Sequence, residues 1–127
     1  MTVVFVDAEA ILCGYLEDRV GVPVQTEVPN PRPASFVRVI RTGGPRLNQV
    51  ADNPQLTIEG WAATETAAHD LLQLARSHVH GLAGTVQGDV AIYRVNEFAG
   101  PANFPDPETG QARYSFTVQI AMRGRTL

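Results

Sequence analysis

The segment YSFTVQIAMR, residues 114–123, has the clearest periodicity in this 127-residue chain. Apolar side chains occupy every second position, and polar or small residues stand between them. The apolar positions are Tyr114, Phe116, Val118, Ile120 and Met122. Successive side chains of a strand point to opposite faces of a sheet, so this alternation predicts a strand with one buried face.

Four other stretches have the alternation or composition of strands, and they are residues 24–28, 35–42, 55–62 and 89–98. The intervening segments are predicted as loops. Pro29–Pro33 and Ala99–Ala112 are longer than the usual connection of about 4–6 residues, and residues 47–54 form a further loop.

Two segments follow the helical repeat instead. One begins after Asp7, a predicted N-cap, and the other runs from about Glu65 to His80 after Thr64. The predicted order is α, β, β, β, α, β, β. We therefore expect an α+β fold in a single domain, residues 1–127. Its four- to five-stranded antiparallel or mixed sheet carries both helices packed on one face.

Composition excludes several classes of protein. The net charge is -3, with 10 basic residues, all arginine, and 13 acidic residues, whereas a dedicated nucleic-acid-binding domain usually carries a basic excess. The single cysteine excludes an intrachain disulfide framework. No apolar run approaches the roughly 18 residues of a membrane span, and residues 1–6 do not resemble a secretory signal.

The histidines and the cysteine are the first candidates for catalysis or metal binding. The three histidines fall on the second predicted helix, where His78 and His80 point apart and His69 lies about 16 Å along the axis from His80. Cys13 stands beside an apolar stripe and is predicted to be a packing residue. Phosphate-loop and nucleophile-elbow patterns are absent too, so the sequence contains no recognisable catalytic, phosphate-binding or metal-binding motif.

The loops and strand ends are the remaining candidates. Asp106, which precedes a proline, is predicted to stabilise a turn, although an acidic ion site together with Glu108 is the alternative. Arg38, Arg41 and Arg46 surround the Gly43–Gly44 turn, where they contact nucleic acid, a carboxylate-bearing partner or only water. The acidic net charge favours a protein partner. A tolerated surface insertion remains the alternative for both long loops.

Several of these segments together resemble the tail-terminator proteins of long-tailed bacteriophages, particularly of phages that infect actinobacteria. The resemblance rests on residues 28–39, on Arg41-Thr42-Gly43-Gly44, on the strand and helix of residues 56–82, and on residues 105–118. It spans most of the chain and includes no catalytic signature.

The resemblance implies a structural protein without cofactor that forms a ring, usually a hexamer, in the virion neck after assembly in the host cytoplasm. The ring caps the tail tube, ends polymerisation of the tail tube protein and offers a surface to a head-completion or connector protein. DNA passes through the ring without sequence-specific recognition, and no membrane is involved. The alternatives are another neck protein, such as a head–tail connector or tail-completion protein, or a small ligand-binding domain or enzyme.

A ring requires contacts between different patches of neighbouring subunits. Residues in turns and at strand ends are the candidates for these contacts or for contacts with the tube. We therefore expect an interface that includes Arg41, Gly44, Arg46, Phe104, Asp106 and Arg113.

Overall fold

The computed structural model describes residues 1–127 and contains two helices and nine strands. The helices are α1 (Ala8–Val20) and α2 (Glu65–His80). Four strands are long, namely β3 (Phe36–Gly43), β5 (Gln55–Ala62), β7 (Val90–Asn103) and β8 (Ala112–Arg123). Five strands have two residues each, namely β1 (Val3–Val4), β2 (Val24–Gln25), β4 (Ala51–Asp52), β6 (Val86–Gln87) and β9 (Arg125–Thr126).

The main sheet has the strand order β2-β3-β5-β8-β7-β6, and β4 also pairs with β8. Only the pairing of β2 with β3 is parallel, so the sheet is mixed but mostly antiparallel. β1 and β9 form a separate two-stranded antiparallel sheet. The alternating segment of residues 114–123 lies within β8, between β5 and β7, which agrees with its strong strand pattern.

Both helices cover the same face of the main sheet. Register places Val37 opposite Gly60, and Ile58 opposite Phe116, so these positions share one face. That face forms one buried core with the apolar stripes of α1 and α2. At Gly60 an added Cβ would lie 3.1 Å from the backbone nitrogen of Leu72, so the absence of a side chain lets α2 rest directly on β5.

Local signals in the sequence define both helices. The carboxylate of Asp7 accepts a hydrogen bond from the amide of Ala10 at 3.1 Å, and the hydroxyl of Thr64 accepts one from Ala67 at 3.2 Å. Gly21 ends α1 with a φ of 72°, a left-handed conformation that glycine adopts without strain. Both predicted N-caps are therefore confirmed.

The predicted α+β class, with two helices and a mixed sheet, is confirmed, but the predicted strand number and element order are wrong. The main sheet has seven strands instead of four or five, and a strand precedes α1. The additional strands have two residues each, too few for an alternating pattern, and depend on partners distant in sequence. Val3–Val4 pairs with Arg125–Thr126, for example.

The predicted loops are also shorter than expected. β7 continues to Asn103, so the long loop of residues 99–112 is reduced to residues 104–111, and residues 47–54 include β4. Register shifts between Glu97 and Ala99 and between Ala99 and Ala102 interrupt the ladder. Pro101, which has no amide hydrogen to donate, lies within this irregular stretch, and a proline inside a strand pattern favours a loop.

Candidate functional site

The face of the main sheet that the helices leave uncovered carries a cluster of charged and aromatic side chains. Phe36, Trp61 and Arg113 lie side by side on β3, β5 and β8, and Arg38 lies directly opposite Glu59. These positions alternate with the core-facing positions of the same strands, so their side chains point away from α1 and α2. We call Arg38, Glu59, Trp61 and Arg113 the arginine–glutamate cluster.

Glu59 is the buried carboxylate at the centre of this cluster. The residue is only 8% exposed, and Oε1 accepts a hydrogen bond from Nε1 of Trp61 at 3.2 Å. Arg38 Nη1 lies 3.7 Å from Oε1, and Arg113 Nη1 lies 3.9 Å from Oε2. Since an unpaired buried carboxylate would be costly, the two guanidinium groups together stabilise its charge.

Backbone carbonyl groups hold both arginines in place. Nε of Arg38 donates to the carbonyl of Thr26 at 3.2 Å, and Nε of Arg113 donates to the carbonyl of Phe104 at 2.8 Å. Their distances to Glu59 exceed hydrogen-bond range, and both side chains are partly exposed. The terminal nitrogens therefore remain free to donate to another acceptor.

Trp61 forms the apolar floor beside Glu59. Its ring stacks on Phe36 with centroids 5.0 Å apart, and only 2% of the residue is exposed. The guanidinium carbons of Arg113 and Arg32 lie 5.1 and 5.4 Å from the ring centroid, within the range of cation–π contacts. Two arginine side chains therefore lie near the Trp61 ring on the sheet face that carries no helix.

Arg32 connects the proline-rich segment, residues 29–33, with the loop between β7 and β8. Its Nη1 donates to Gln111 at 3.0 Å and to Thr109 at 3.3 Å, and it lies 4.0 Å from Oδ2 of Asp106. This proline-rich segment therefore approaches the residues that flank β8, which brings the two loops singled out by the sequence together.

Asp106 organises the loop of residues 104–111. Its Oδ2 accepts hydrogen bonds from the hydroxyl of Thr109 at 2.6 Å and from the amide of Thr109 at 3.1 Å. These bonds, the hydroxyl bond most of all, lower the pKa of the Asp106 carboxyl. Its carbonyl accepts from the amide of Gly110 at 2.8 Å. The predicted turn-stabilising role of Asp106 is confirmed.

The six predicted interface residues separate into two groups. Phe104, Asp106 and Arg113 lie at the end of the sheet that carries the arginine–glutamate cluster. Arg41, Gly44 and Arg46 belong to the other end. In the sheet register, Arg41 lies opposite Leu56 of β5 and Arg113 lies opposite Trp61 of β5. Leu56 and Trp61 are five positions apart, so the two ends of the sheet are separated by about 17 Å along the strand.

The group around the Gly43–Gly44 turn makes contacts within the chain. Arg41 Nη2 lies 3.1 Å from Oδ2 of the buried Asp52, and the amide of Arg41 donates to Glu9 at 2.8 Å. An added Cβ at Gly44 would lie 2.4 Å from the carbonyl oxygen of Asn53. Arg38 points to the opposite face from Arg41, so the three arginines predicted near this turn do not form one cluster.

Arg46 also makes contacts within the chain. Its guanidinium carbon lies 4.7 Å from the ring centroid of Phe5, and Nη2 donates to the carbonyl of Gln49 at 3.2 Å. The guanidinium therefore supports the packing of the N-terminal segment in the isolated subunit.

Glu59, Trp61, Phe36 and Arg32 are site residues that were not predicted from the sequence. A signal was present in residues 55–62, where Thr57, Glu59 and Trp61 alternate with the core-facing positions. A glutamate and a tryptophan on the second face of a strand indicate that this face is not simply exposed to water. Only the register shows which arginines meet them.

β7 presents a second feature, a strand edge without a partner. β6 pairs only with Val90 and Ala91, and beyond them β7 has β8 as its only neighbour. Phe98 and Phe104, on and directly after this edge strand, are 58% and 62% exposed. Unpaired edges and exposed aromatic side chains are features of surfaces that bind other proteins.

Glu97 connects β7, the edge strand, to α2 through an ion pair with Arg76. Nε and Nη2 of Arg76 each lie 2.7 Å from a carboxylate oxygen of Glu97, and Nε2 of His80 lies 3.2 Å from Oε1. The hydrogen bonds from Arg76 hold the pKa of Glu97 below its usual value. This bidentate pair fixes the helix-facing side of β7 and leaves its outer edge free.

The remaining titratable groups and the largest groove lie away from the arginine–glutamate cluster. No group of three or more histidine, cysteine, aspartate or glutamate side chains is arranged to hold a metal ion. Burial raises the pKa of the Cys13 thiol to about 11, with a further contribution from Glu9, so the thiol stays protonated near neutral pH. A groove of about 640 Å³ lies between α1 and the turn that joins β6 to β7, with Asp18 and Arg125 among its lining residues.

Neither helix combines the length and apolar character that crossing a bilayer requires. No protein-family model matches the sequence, and no curated protein shows significant similarity to it.

Proposed function

We propose that this protein is a structural assembly protein of a long-tailed bacteriophage that forms a hexameric ring at the end of the tail tube. The ring ends polymerisation of the tail tube protein and offers its other side to a head-completion or connector protein. The observation that supports this proposal best is the unpartnered edge of β7 with the exposed rings of Phe98 and Phe104.

This edge is suited to bind a protein. Between residues 93 and 104, only Arg94 and Glu97 are charged, and Arg76 neutralises Glu97. Long exposed edges are normally guarded by charges, prolines or β-bulges, because their free N–H and C=O groups pair with other strands. In β7, Pro101 and the register shifts beside it guard the end of the strand, whereas residues 93–98 precede the proline. The low charge of this edge therefore favours a partner that covers it in the assembled particle.

Contact with the last ring of the tube explains how growth stops. A tube subunit that binds the edge of β7 buries Phe98 and Phe104 and satisfies backbone groups on both sides. The helices and the remaining surface of the ring then face outward. The opposite edge of the main sheet differs from that of β7, because β2 pairs with Val37 and Arg38 of β3 and the amide of Arg41 is bound by Glu9. The same geometry leaves the outward side available to a head protein.

The test uses the tail tube protein of the same phage, polymerised in the presence and absence of this protein. We expect substoichiometric amounts of the protein to shorten the tubes and to bind at one end of each tube, visible by electron microscopy. Phe98→Ser with Phe104→Ser should abolish this effect. Leu74→Ser, at an exposed apolar position on α2, is the matched control and should retain it. Tubes that grow to the same length with the wild-type protein would contradict the proposal.

A further inference from the structure

We infer that the arginine–glutamate cluster is the acceptor of a head-to-tail contact, in which it binds the carboxylates of Glu17 and Asp18 on α1 of a second copy of this chain. The inference deepens the proposed function, because a ring requires contacts between different patches of neighbouring subunits. It assigns one patch to the helix-free face and the other to the end of α1.

The arginine–glutamate cluster, the acceptor patch of the contact, has guanidinium N–H groups that no group within the chain binds. Arg38 and Arg113 lie near Glu59 without a hydrogen bond to it. Asp106 interacts with Arg113 and Arg32, so three guanidinium groups face two carboxylates and one positive charge is in excess. Their Nε atoms are bound to backbone carbonyls, which orients the side chains before any partner arrives. Terminal N–H groups of arginine match the geometry of an incoming carboxylate. The apolar ring of Trp61 beneath them strengthens such an ion pair by excluding water.

The second patch of the contact, called the donor patch, consists of the carboxylates of Glu17 and Asp18, which have no ion-pair partner in the isolated subunit. Glu17 and Asp18 are exposed near the C-terminal end of α1, and neither forms an ion pair within the chain. Negative charge at this end opposes the helix dipole. Arg19 does not neutralise them, because its guanidinium lies on the ring of Tyr15 and donates to the carbonyl of Tyr15.

The two patches cannot meet within one subunit. α1 packs on the core-facing side of the sheet, while the arginine–glutamate cluster occupies the other face. A contact between them must therefore join two copies, and it uses different residues on each copy. Repetition of such a heterologous contact closes a ring when the rotation between copies allows it, and otherwise produces a filament.

The experiment mixes two variants, each of which retains one half of the contact. The acceptor variant carries Arg38→Gln, Glu59→Gln and Arg113→Gln, which removes the cluster's charges together and leaves no buried carboxylate unpaired. The donor variant carries Glu17→Gln and Asp18→Asn at exposed positions, so its fold should be unaffected. Circular dichroism and thermal unfolding establish that both variants are folded.

We expect the wild-type chain to form oligomers in analytical ultracentrifugation and each variant alone to be monomeric. An equimolar mixture of the two variants should give a 1:1 heterodimer that grows no further, because only one intact contact remains per pair. Asp70→Asn with Glu108→Gln removes two negative charges, as the donor variant does, but at other exposed positions, and should assemble like the wild type. Raised salt should weaken all of these associations.

Three results would overturn the inference: a wild-type chain that stays monomeric at about 1 mM, a donor variant that assembles like the wild type, or a mixture that remains monomeric. The tube assay is independent of these outcomes, since the Phe98 and Phe104 substitutions leave both charged patches intact. A heterodimer together with tubes of unchanged length would refute the proposed function alone. Shortened tubes without a heterodimer would refute the head-to-tail contact alone.

Discussion

Replacing Arg41 with alanine removes the only guanidinium that pairs with the buried carboxylate of Asp52. That residue is 4% exposed, and its Oδ2 lies 3.1 Å from Arg41 Nη2, while Oδ1 accepts only from the amide of Asn53 at 2.9 Å. Removing one partner of a fully buried ion pair costs about 3–5 kcal/mol. Since the Arg41 side chain is 35% exposed and water replaces it in part, we expect a loss of about 2 kcal/mol.

The assay is thermal and urea unfolding at a protein concentration low enough to keep the chain monomeric. For a domain of this length a loss of about 2 kcal/mol lowers Tm by about 7 °C. Asp52→Asn removes the charge that Arg41 neutralises, so Arg41→Ala should cost less in that background than in the wild type. Arg94→Ala, at an exposed arginine without an ion pair, is the matched control and should stay within about 0.5 kcal/mol of the wild type.

An Arg41→Ala protein as stable as the Arg94→Ala control would refute this reasoning. The outcome also decides how ring assays with this variant are interpreted. If the monomer is destabilised as expected, weaker assembly of Arg41→Ala does not demonstrate that Arg41 lies in a subunit interface. The charged patches of Arg38, Arg113 and α1 then remain the sharper probes of the contact.

Further predictions concern packing, pH and thiol reactivity. Gly60→Ala forces a Cβ against the backbone of α2 and should destabilise the protein by about 1–2 kcal/mol. Gly14→Ala places a Cβ in open space in the middle of α1 and should stabilise the protein by about 1 kcal/mol. Urea unfolding measures both changes. The pKa of Glu97 is lowered in the folded state, so the stability from its pair with Arg76 is present above its ordinary pKa of 4.5 and is lost as the pH falls through the lowered value. Glu97→Gln should therefore flatten the acid limb of the stability profile, and an unchanged limb would contradict this. Because the pKa of Cys13 is raised to about 11, its alkylation at pH 8 should be slow in the folded protein and fast in denaturant.

The central elements of the fold were predictable because their signals are local. β8 alternates apolar with polar or small residues from Tyr114 to Arg123, and the capping residues Asp7 and Thr64 begin the two helices. The continuation of β7 through Pro101 was not predictable, because a proline inside a strand is tolerated only where the ladder is interrupted. Strands of two residues contain too little sequence to show a period, so they emerge only from their partners.

The candidate site was predictable only in part. Phe104, Asp106 and Arg113 were expected from their positions in a turn and at a strand end, and they adjoin the arginine–glutamate cluster. Arg41 and Gly44 were expected for the same reason, yet they make intramolecular contacts at the other end of the sheet. Turn position alone does not separate these two cases, because both types of residue occur where strands end.

The sequence by itself determined the α+β class, the helix boundaries, the central strand and the turn of Asp106, because each depends on residues within a few positions of one another. The tertiary structure decided which side chains share a face. Pairing of β3, β5 and β8 brings Arg38, Glu59, Trp61 and Arg113 together from distant parts of the chain, and a shift of one residue would send them to opposite faces. That register is set by the apolar residues that pack beneath α1 and α2 on the other side of the sheet. The charged face is therefore positioned by the core behind it.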